Sequence, residues 1–506
     1  MADPSPQNVI AETPAPPVHG TVLRLAKSFG VYGSANIGIR ALNFFLVIVY
    51  AHYLQPSDYG IIYMGEIVAS FLIIFAGLSL DSALQRLYFQ HNHDAEELRS
   101  YLGSVIRFGL CWMALFLGLT LLLGRVIQSH VATHASVPFY PYIAMAIATA
   151  AATQGVQYRL AEYQAARRPR AYASLSLVLA LLTAAGCMYG VVIRHDGAIG
   201  MFEGKLAAAA VTFLIAAWSM RPFLTARFQW RFVRESLAFS LPLIPHLVMA
   251  SGLVVADRFI LDHYRNLSDV GVYSLAYTFG MVMYLVTQSL SQAWLPMFFD
   301  LAADREKNHL MLGRICSGLT VFLAAIACIG ILLSPLFIHV FLDPRYQAAT
   351  RIVPLVVMGY LFHALFSLFD LSILQAKRTS SVFLISLLAF AVNVALNFAM
   401  IPRWGIYGAA WATTIAYAVE AAGAFLLAQR FFPLPYRVPE ILSGLAIAAG
   451  ALGLTQLAWA PKWQGLSMAA ALGLSLGMLA LLGRRDLQSA FAIIRSARKR
   501  GATTLS

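Results

Sequence analysis

The chain has 506 residues, of which 59% are hydrophobic and only 12% charged, against about 25% charged in an ordinary soluble domain. That balance argues for an all-α polytopic membrane protein, long enough for about fourteen helices of about 20 residues each, and leaves no room for a soluble catalytic domain. The net charge of +13 is a question of where lysine and arginine fall relative to the membrane, and it is no sign of a nucleic-acid partner.

Residues 1–20 carry Pro4, Pro6, Pro14, Pro16 and Pro17 and lack the basic and apolar segments of a signal peptide, so they read as a disordered cytoplasmic tail. A short amphipathic stretch at 21–29 leads into the first span. Apolar runs predict spans at about 30–51, 59–80, 103–124, 139–160, 171–192 and 197–219, then at about 236–256, 270–290, 312–333, 352–373, 380–401 and 405–427. Two more follow at about 438–459 and 464–482. Beyond them Phe491, Ile493 and Ile494 alternate with Arg495, Arg498, Lys499 and Arg500, the pattern of a basic helix lying on an anionic inner leaflet.

One stretch organises this series. His-Tyr-Leu-Gln-Pro-Ser-Asp-Tyr-Gly at 52–60 returns as His-Tyr-Arg-Asn-Leu-Ser-Asp-Val-Gly at 263–271, so both read H-Y-x-x-x-S-D-x-G, with Asp58 and Asp269 separated by 211 residues. Gly197 and Gly200 open one apolar run as Gly405 and Gly408 open another, at an offset of 208. Two echoes at nearly one offset indicate an internal duplication of a six-span bundle. The expected organisation is therefore a tail at 1–20, an N-lobe at 21–220, a C-lobe at 221–430, two trailing helices at 431–483 and a basic cytoplasmic tail at 484–506. Of the 36 lysines and arginines, 26 fall on the side of the termini, eight on the other side and two within spans. The positive-inside rule then puts both termini in the cytoplasm. Six is an even number of spans, so the repeat is parallel, and a cavity is expected between the lobes.

Candidate site residues are the polar and charged groups inside spans, where each charge costs about 2.5–3.5 kcal/mol even on a lenient scale. Gly33, Asn36, Arg40 and Asn43 form one small and polar stripe on the first span. Arg40 reads as facing an anionic substrate, with a structural ion pair as the alternative. Glu66, on a second stripe with Tyr59, Tyr63 and Ser70, is its partner candidate, but it lies about 10 Å below the outer boundary and Arg40 about 18 Å, so pairing is possible and not implied, and a coupling-ion or proton-relay role for Glu66 is open. Lys205 reads as snorkelling outward, and Asp257 and Arg258 as solvated charges ending the seventh span. Tyr277, Tyr284, Thr287, Gln288, Ser291 and Gln292 form a polar and aromatic face, and His363, Ser367 and Asp370 another; such groups suit sugar recognition but also hold helices together. Glu420 and Asp370 read as inner-boundary positions.

Other chemistry is missing from the sequence. The four cysteines, Cys111, Cys187, Cys316 and Cys328, lie in apolar runs without C-x-x-C spacing and read as packing residues. There is no Walker A pattern and no H-E-x-x-H. His91, Asn92, His93 and Asp94 read as a solvated turn rather than a metal site.

Three segments carry a family resemblance: Leu-Gln-Pro-Ser-Asp-Tyr-Gly at 54–60, Ser-Gln-Ala-Trp-Leu-Pro-Met-Phe-Phe at 291–299, and Asn-Val-Ala-Leu-Asn-Phe-Ala-Met-Ile-Pro-Arg-Trp-Gly-Ile-Tyr-Gly-Ala-Ala-Trp-Ala-Thr at 393–413. In this order they resemble bacterial polysaccharide transporters, the Wzx-type oligosaccharide flippases of the multidrug/oligosaccharidyl-lipid/polysaccharide exporter superfamily. The likeness runs from about residue 23 to about 483. It implies two six-helix lobes around a partly cationic cavity, and a chain that is not an enzyme. It implies translocation of an undecaprenyl-pyrophosphate-linked oligosaccharide across the bacterial inner membrane for exopolysaccharide, capsule or O-antigen assembly. Cavity cations receive the anionic substrate in such proteins, and Arg40 is the matching position. The single mid-span Arg in the first two spans departs from the sibling lipid II flippases.

The resemblance also implies membrane lipids, a polysaccharide polymerase and glycosyltransferases as partners, with no bound cofactor and a coupling proton or sodium ion left open. Two alternatives remain at this point. A drug or cation exporter of the same superfamily would place acidic residues at mid-depth, and a membrane polysaccharide polymerase would carry a long outer loop.

Overall fold

The structure, a computed structural model, describes residues 38–131 and 137–457 together with four positions between 469 and 477. The expectations for the two tails, for Gly33 and Asn36, and for most of the last predicted span lie outside the described residues. Fifteen α-helices follow in order: α1 Gly38–Tyr53, α2 Pro56–Gly77, α3 Leu80–His91, α4 Ala95–Val131, α5 Ala144–Ala165, α6 Pro169–Met188, α7 Gly197–Leu224, α8 Trp230–Ser240, α9 Ile244–Tyr264, α10 Leu267–Ala303, α11 Arg305–Phe341, α12 Ala349–Gln375, α13 Thr379–Trp404, α14 Ile406–Phe431 and α15 Val438–Leu457. Short π-helical turns at Phe139–Ile143 and Tyr189–Ile193 adjoin α5 and α6.

The described residues contain no strand. Ten helical segments among them are long and apolar enough to cross a membrane, and α1 is a shorter apolar helix. The protein is a multi-pass membrane protein. α2 and α3 form one kinked segment, because Leu78 and Ser79 take left-handed conformations at φ 49° and 52°.

The repeat stretch is a helix start signal. Asp58 is the third residue of α2, and its carboxylate accepts a hydrogen bond from the Gln55 amide at 3.0 Å. Asp269 holds the same place in α10, where its amide donates to the Asn266 side chain at 2.9 Å. Both arrangements satisfy amides that a helix start leaves without partners. The second echo has its own local reason. Gly197 and Gly405 sit at φ +59° and +56° where α7 and α14 begin, a left-handed conformation that costs glycine little.

Packing repeats with the sequence. In the first half α2 packs on α5, α5 on α7 and α6 on α7, and in the second half α10 packs on α12, α12 on α14 and α13 on α14. The α6–α7 seam is closed by small residues: a Cβ on Gly186 would come within 2.8 Å of the Gly204 carbonyl, the kind of backbone approach that lets membrane helices gain dispersion contacts.

The halves meet where the two repeat stretches lie. α2 runs against α10, the Tyr63 and Thr278 hydroxyls share a hydrogen bond at 2.7 Å, and Tyr346 donates to the Leu54 carbonyl at 2.9 Å. Arg345 reaches the His52 carbonyl at 3.1 Å. Farther along, Ser70 and Phe75 on α2 and Gln292 on α10 are exposed. A separate core around Tyr101, Tyr158 and Phe232 ties α3, α4, α5 and α8 together at the opposite end of the first half.

Candidate functional site

In the first half, α1, α2, α6 and α7 enclose a cavity of about 230 Å³ lined by Asn43, Tyr50, Tyr59, Tyr63, Glu66, Cys187 and Lys205, among others. Lys205 donates a hydrogen bond to the Glu66 carboxylate there. This corrects the reading of Lys205, which does not snorkel outward, and the partner that the sequence leaves open for Glu66 is Lys205 and not Arg40.

The physical reason is depth. α2 and α7 both start at the repeat end; Glu66 is ten residues in and Lys205 eight, so at 1.5 Å per residue they lie about 15 and 12 Å along their helices. A lysine at that depth is stabilised more by a carboxylate across the seam than by reaching for a distant interface. Comparing each residue's distance from its own repeat landmark would have revealed the pair. Glu66 is the counterpart of Tyr277, and Lys205, eight residues after Gly197, is the counterpart of Thr413, eight residues after Gly405.

Arg40 is exposed and forms no ion pair among the described residues. It lies one turn before Phe44, whose ring meets Phe279 of α10 at 5.4 Å and Phe337 of α11 at 6.0 Å. Arg40 thus sits on the helix that runs between the halves. Asn43 is exposed at the mouth of the Glu66 cavity.

The second half holds a different set. Asp257 and Arg258 are buried, at 3% and 7% exposure, which corrects the reading of solvated boundary charges. The helix runs on to Tyr264, so the pair lies about two turns inside it. Arg258 donates to Asp257 at 2.8 Å, and Tyr273 donates to the other carboxylate oxygen at 2.6 Å. The guanidinium also lies 4.3 Å from the Tyr277 ring centroid and 5.1 Å from that of Tyr273, a cation–π arrangement that is worth more once water is removed. Tyr277 is therefore part of this buried cluster.

The cluster extends along one face. Tyr277 and Tyr284 pack on Tyr360 of α12, with ring centroids 6.2 and 5.7 Å apart. His363 lies between Tyr284 and Tyr417, at 6.0 and 5.1 Å. Glu420 accepts a hydrogen bond from Ser386 at 2.9 Å and faces His363 at 3.5 Å. It lies in the middle of α14, fourteen residues from the start of a 26-residue helix, and so is no boundary charge. Gln288 is half-buried and Gln292 exposed farther along α10, and neither joins the aromatic face.

A larger cavity of about 660 Å³ opens between α2, α4 and α9. Its wall is aliphatic and aromatic apart from Thr120, Gln128, Asp262 and His263 and contains no lysine or arginine, so it suits hydrocarbon and not an anion.

The decisive comparison is with protein families: the model of the polysaccharide biosynthesis protein family matches residues 25–302, more than half of the chain. The chain belongs to that family. Among solved structures, this family member is similar to a lipid II flippase MurJ in an inward closed conformation, with 18% identity, a TM-score of 0.68 and coverage of 90% of this chain and 99% of the other. It is also similar to an inward-facing multidrug resistance MATE transporter of the MOP superfamily, with 14% identity, a TM-score of 0.56 and coverage of 80% and 96%. A mutant of the Vibrio cholerae MATE transporter VcmN matches at 14% identity and a TM-score of 0.54, with coverage of 81% and 98%. These likenesses establish the transporter fold. No curated protein matches in sequence.

Proposed function

We propose that this protein translocates an undecaprenyl-pyrophosphate-linked oligosaccharide from the inner to the outer face of a bacterial inner membrane, by rocking of two lobes, residues 21–220 and 221–430, while residues 431–483 form appended helices. Both termini are cytoplasmic in this reading. The repeat end is then the outer mouth, sealed here by α2 against α10, and the opposite end is the inner mouth through which substrate enters.

The observation that carries the reading is Arg40, an exposed guanidinium on α1 with no ion-pair partner among the described residues. A permanent cation within a span is costly unless an anion meets it. A pyrophosphate is such an anion, and a guanidinium grips it with two parallel hydrogen bonds. In this reading Asn43 on the same helix, and Tyr284, Gln288 and Gln292 on α10, supply amides and a hydroxyl for the glycan. The lipid tail remains outside the lobes in the bilayer.

The test is reconstitution of flipping in liposomes with a lipid-linked oligosaccharide, read by accessibility of the glycan to an external lectin or glycosidase. Arg40→Ala should lose most of the flipping rate at unchanged protein level, and Arg40→Lys should retain part of it. A fully active Arg40→Ala protein would remove the substrate-binding role.

A further inference from the structure

We infer that the C-terminal half contains a proton-binding site, made of His363 and Glu420 with Asp370 as the next acceptor in line. His363 is fourteen residues into α12 and Glu420 fourteen into α14. These two helices pack side by side, and the groups meet mid-helix with His363 Nδ1 3.5 Å from Glu420 Oε2. The Glu420 side chain is only 3% exposed. One of its oxygens accepts from Ser386, and the other is buried without a hydrogen-bond partner, as is His363 Nδ1. Asp370 lies two turns farther on the same face of α12, and its Oδ1 is also buried and without a partner. Ser367 lies between, its hydroxyl donating to the His363 carbonyl.

Among the described residues no lysine or arginine forms an ion pair with Glu420 or Asp370, and Arg258, farther along the same face beyond Tyr277 and Tyr360, is paired with Asp257. From α14 the groups turned toward the site are Tyr417 and Glu420, from α10 Tyr284, from α12 itself Tyr360 and Asp370, and from α13 the Ser386 hydroxyl. The charges acting on Asp370 are those of His363 and Glu420. No lysine or arginine pairs with either carboxylate among the described residues.

Two carboxylates so placed within membrane-spanning helices are far more stable with a proton between a carboxylate and the imidazole than as two bare anions. With Glu420 ionised, a proton taken up by His363 makes the contact an ion pair; with His363 neutral, a proton on Glu420 lets the acid donate to an imidazole nitrogen. The donor set suits a proton better than a metal ion, because one oxygen and one nitrogen suffice and Asp370 is two turns away. His363, with 24% of its side chain exposed, is the member through which the proton enters.

The test uses the full-length protein in lipid nanodiscs and infrared difference spectra between acidic and alkaline buffer. The wild-type protein should show the carbonyl band of a buried carboxylic acid that vanishes on alkalisation. Glu420→Gln should lose that band, and His363→Gln and Asp370→Asn should shift its titration midpoint. Should Glu420→Gln fail to fold, Ser386→Ala keeps the carboxylate, removes its donor and should shift the band position. A wild-type spectrum without the band, or a band and midpoint unchanged across the variants that fold, overturns the site. The readout needs no transport, so it stands or falls separately from the flippase reading.

Discussion

Gly60 and Gly271 face one another across the seam between the halves, each leaving room for the backbone of the other's helix. A Cβ on Gly271 would fall on the Pro56 carbonyl and within 2.8 Å of the Gly60 amide nitrogen, and one on Gly60 would fall on the Leu267 carbonyl. The glycine that ends each repeat stretch is thus what lets the first turns of α2 and α10 touch. The duplicated motif combines a helix start with an interface contact, and the two copies meet each other.

Substituting either glycine should therefore pry the repeat end apart. Gly271→Val inserts atoms where backbone now sits, and overpacking of this kind costs about 1–3 kcal/mol in a closed contact. Spin labels on Ser57→Cys and Ser268→Cys in a cysteine-free background should move apart in Gly271→Val relative to the parent. An unchanged distance distribution would mean that the seam tolerates the added atoms without opening.

The same two cysteines test orientation. If the skew of lysine and arginine sets topology as the positive-inside rule states, Ser57→Cys and Ser268→Cys should react with a membrane-impermeant thiol reagent in intact spheroplasts. Reaction only after permeabilisation would invert the assignment of outer and inner ends.

Glu66 and Lys205 make a pair whose members should fail singly and recover together. Removing one leaves the other charged within a span, whereas removing both leaves no charge to solvate. The Glu66 side chain is 42% exposed, so the penalty is discounted to about 1–2 kcal/mol rather than the larger loss of a fully buried pair. Glu66→Gln and Lys205→Met should each lower the melting temperature in detergent, and the double variant should regain most of the loss. Strictly additive losses would show that the two groups are energetically independent despite their contact.

Much of the architecture is legible in sequence because hydrocarbon thickness and backbone satisfaction restrict what an apolar run can be. Ten of the predicted spans fall on described helices long and apolar enough to cross a membrane, those at about 30–51, 139–160 and 236–256 only overlap described helices outside that set, the last of them shifted to Ile244–Tyr264, and the duplicated stretch marks equivalent helix starts. Charged positions are harder to place. Hydropathy drops at Asp257 and Arg258 as it does where a span ends, yet the helix continues to Tyr264. A charge that is neutralised by its neighbour and covered by tyrosines looks, in one dimension, like a charge in water. Lys205 is ambiguous for the same reason, since its partner is 139 residues away in sequence. The meeting of His363 with Glu420 is likewise hidden, because nothing local to α12 points to α14.

The Asp257–Arg258 cluster gives the most demanding forecast. Asp257→Ala removes the carboxylate that accepts from both Arg258 and Tyr273, and so takes from a buried guanidinium the anion with which it pairs. Loss of one member of a buried ion pair costs about 3–5 kcal/mol. Arg258→Met leaves a buried carboxylate, but Tyr273 still donates to it, so its loss should be the smaller of the two. The double variant Asp257→Ala with Arg258→Met removes both charges, and Tyr273 and Tyr277 keep an apolar neighbour; its stability should lie close to wild type. Melting in detergent should therefore rank Asp257→Ala lowest, Arg258→Met next and the double variant highest of the three. If instead the double variant were the least stable, the cluster would owe its place to the rings packed on the guanidinium more than to charge compensation.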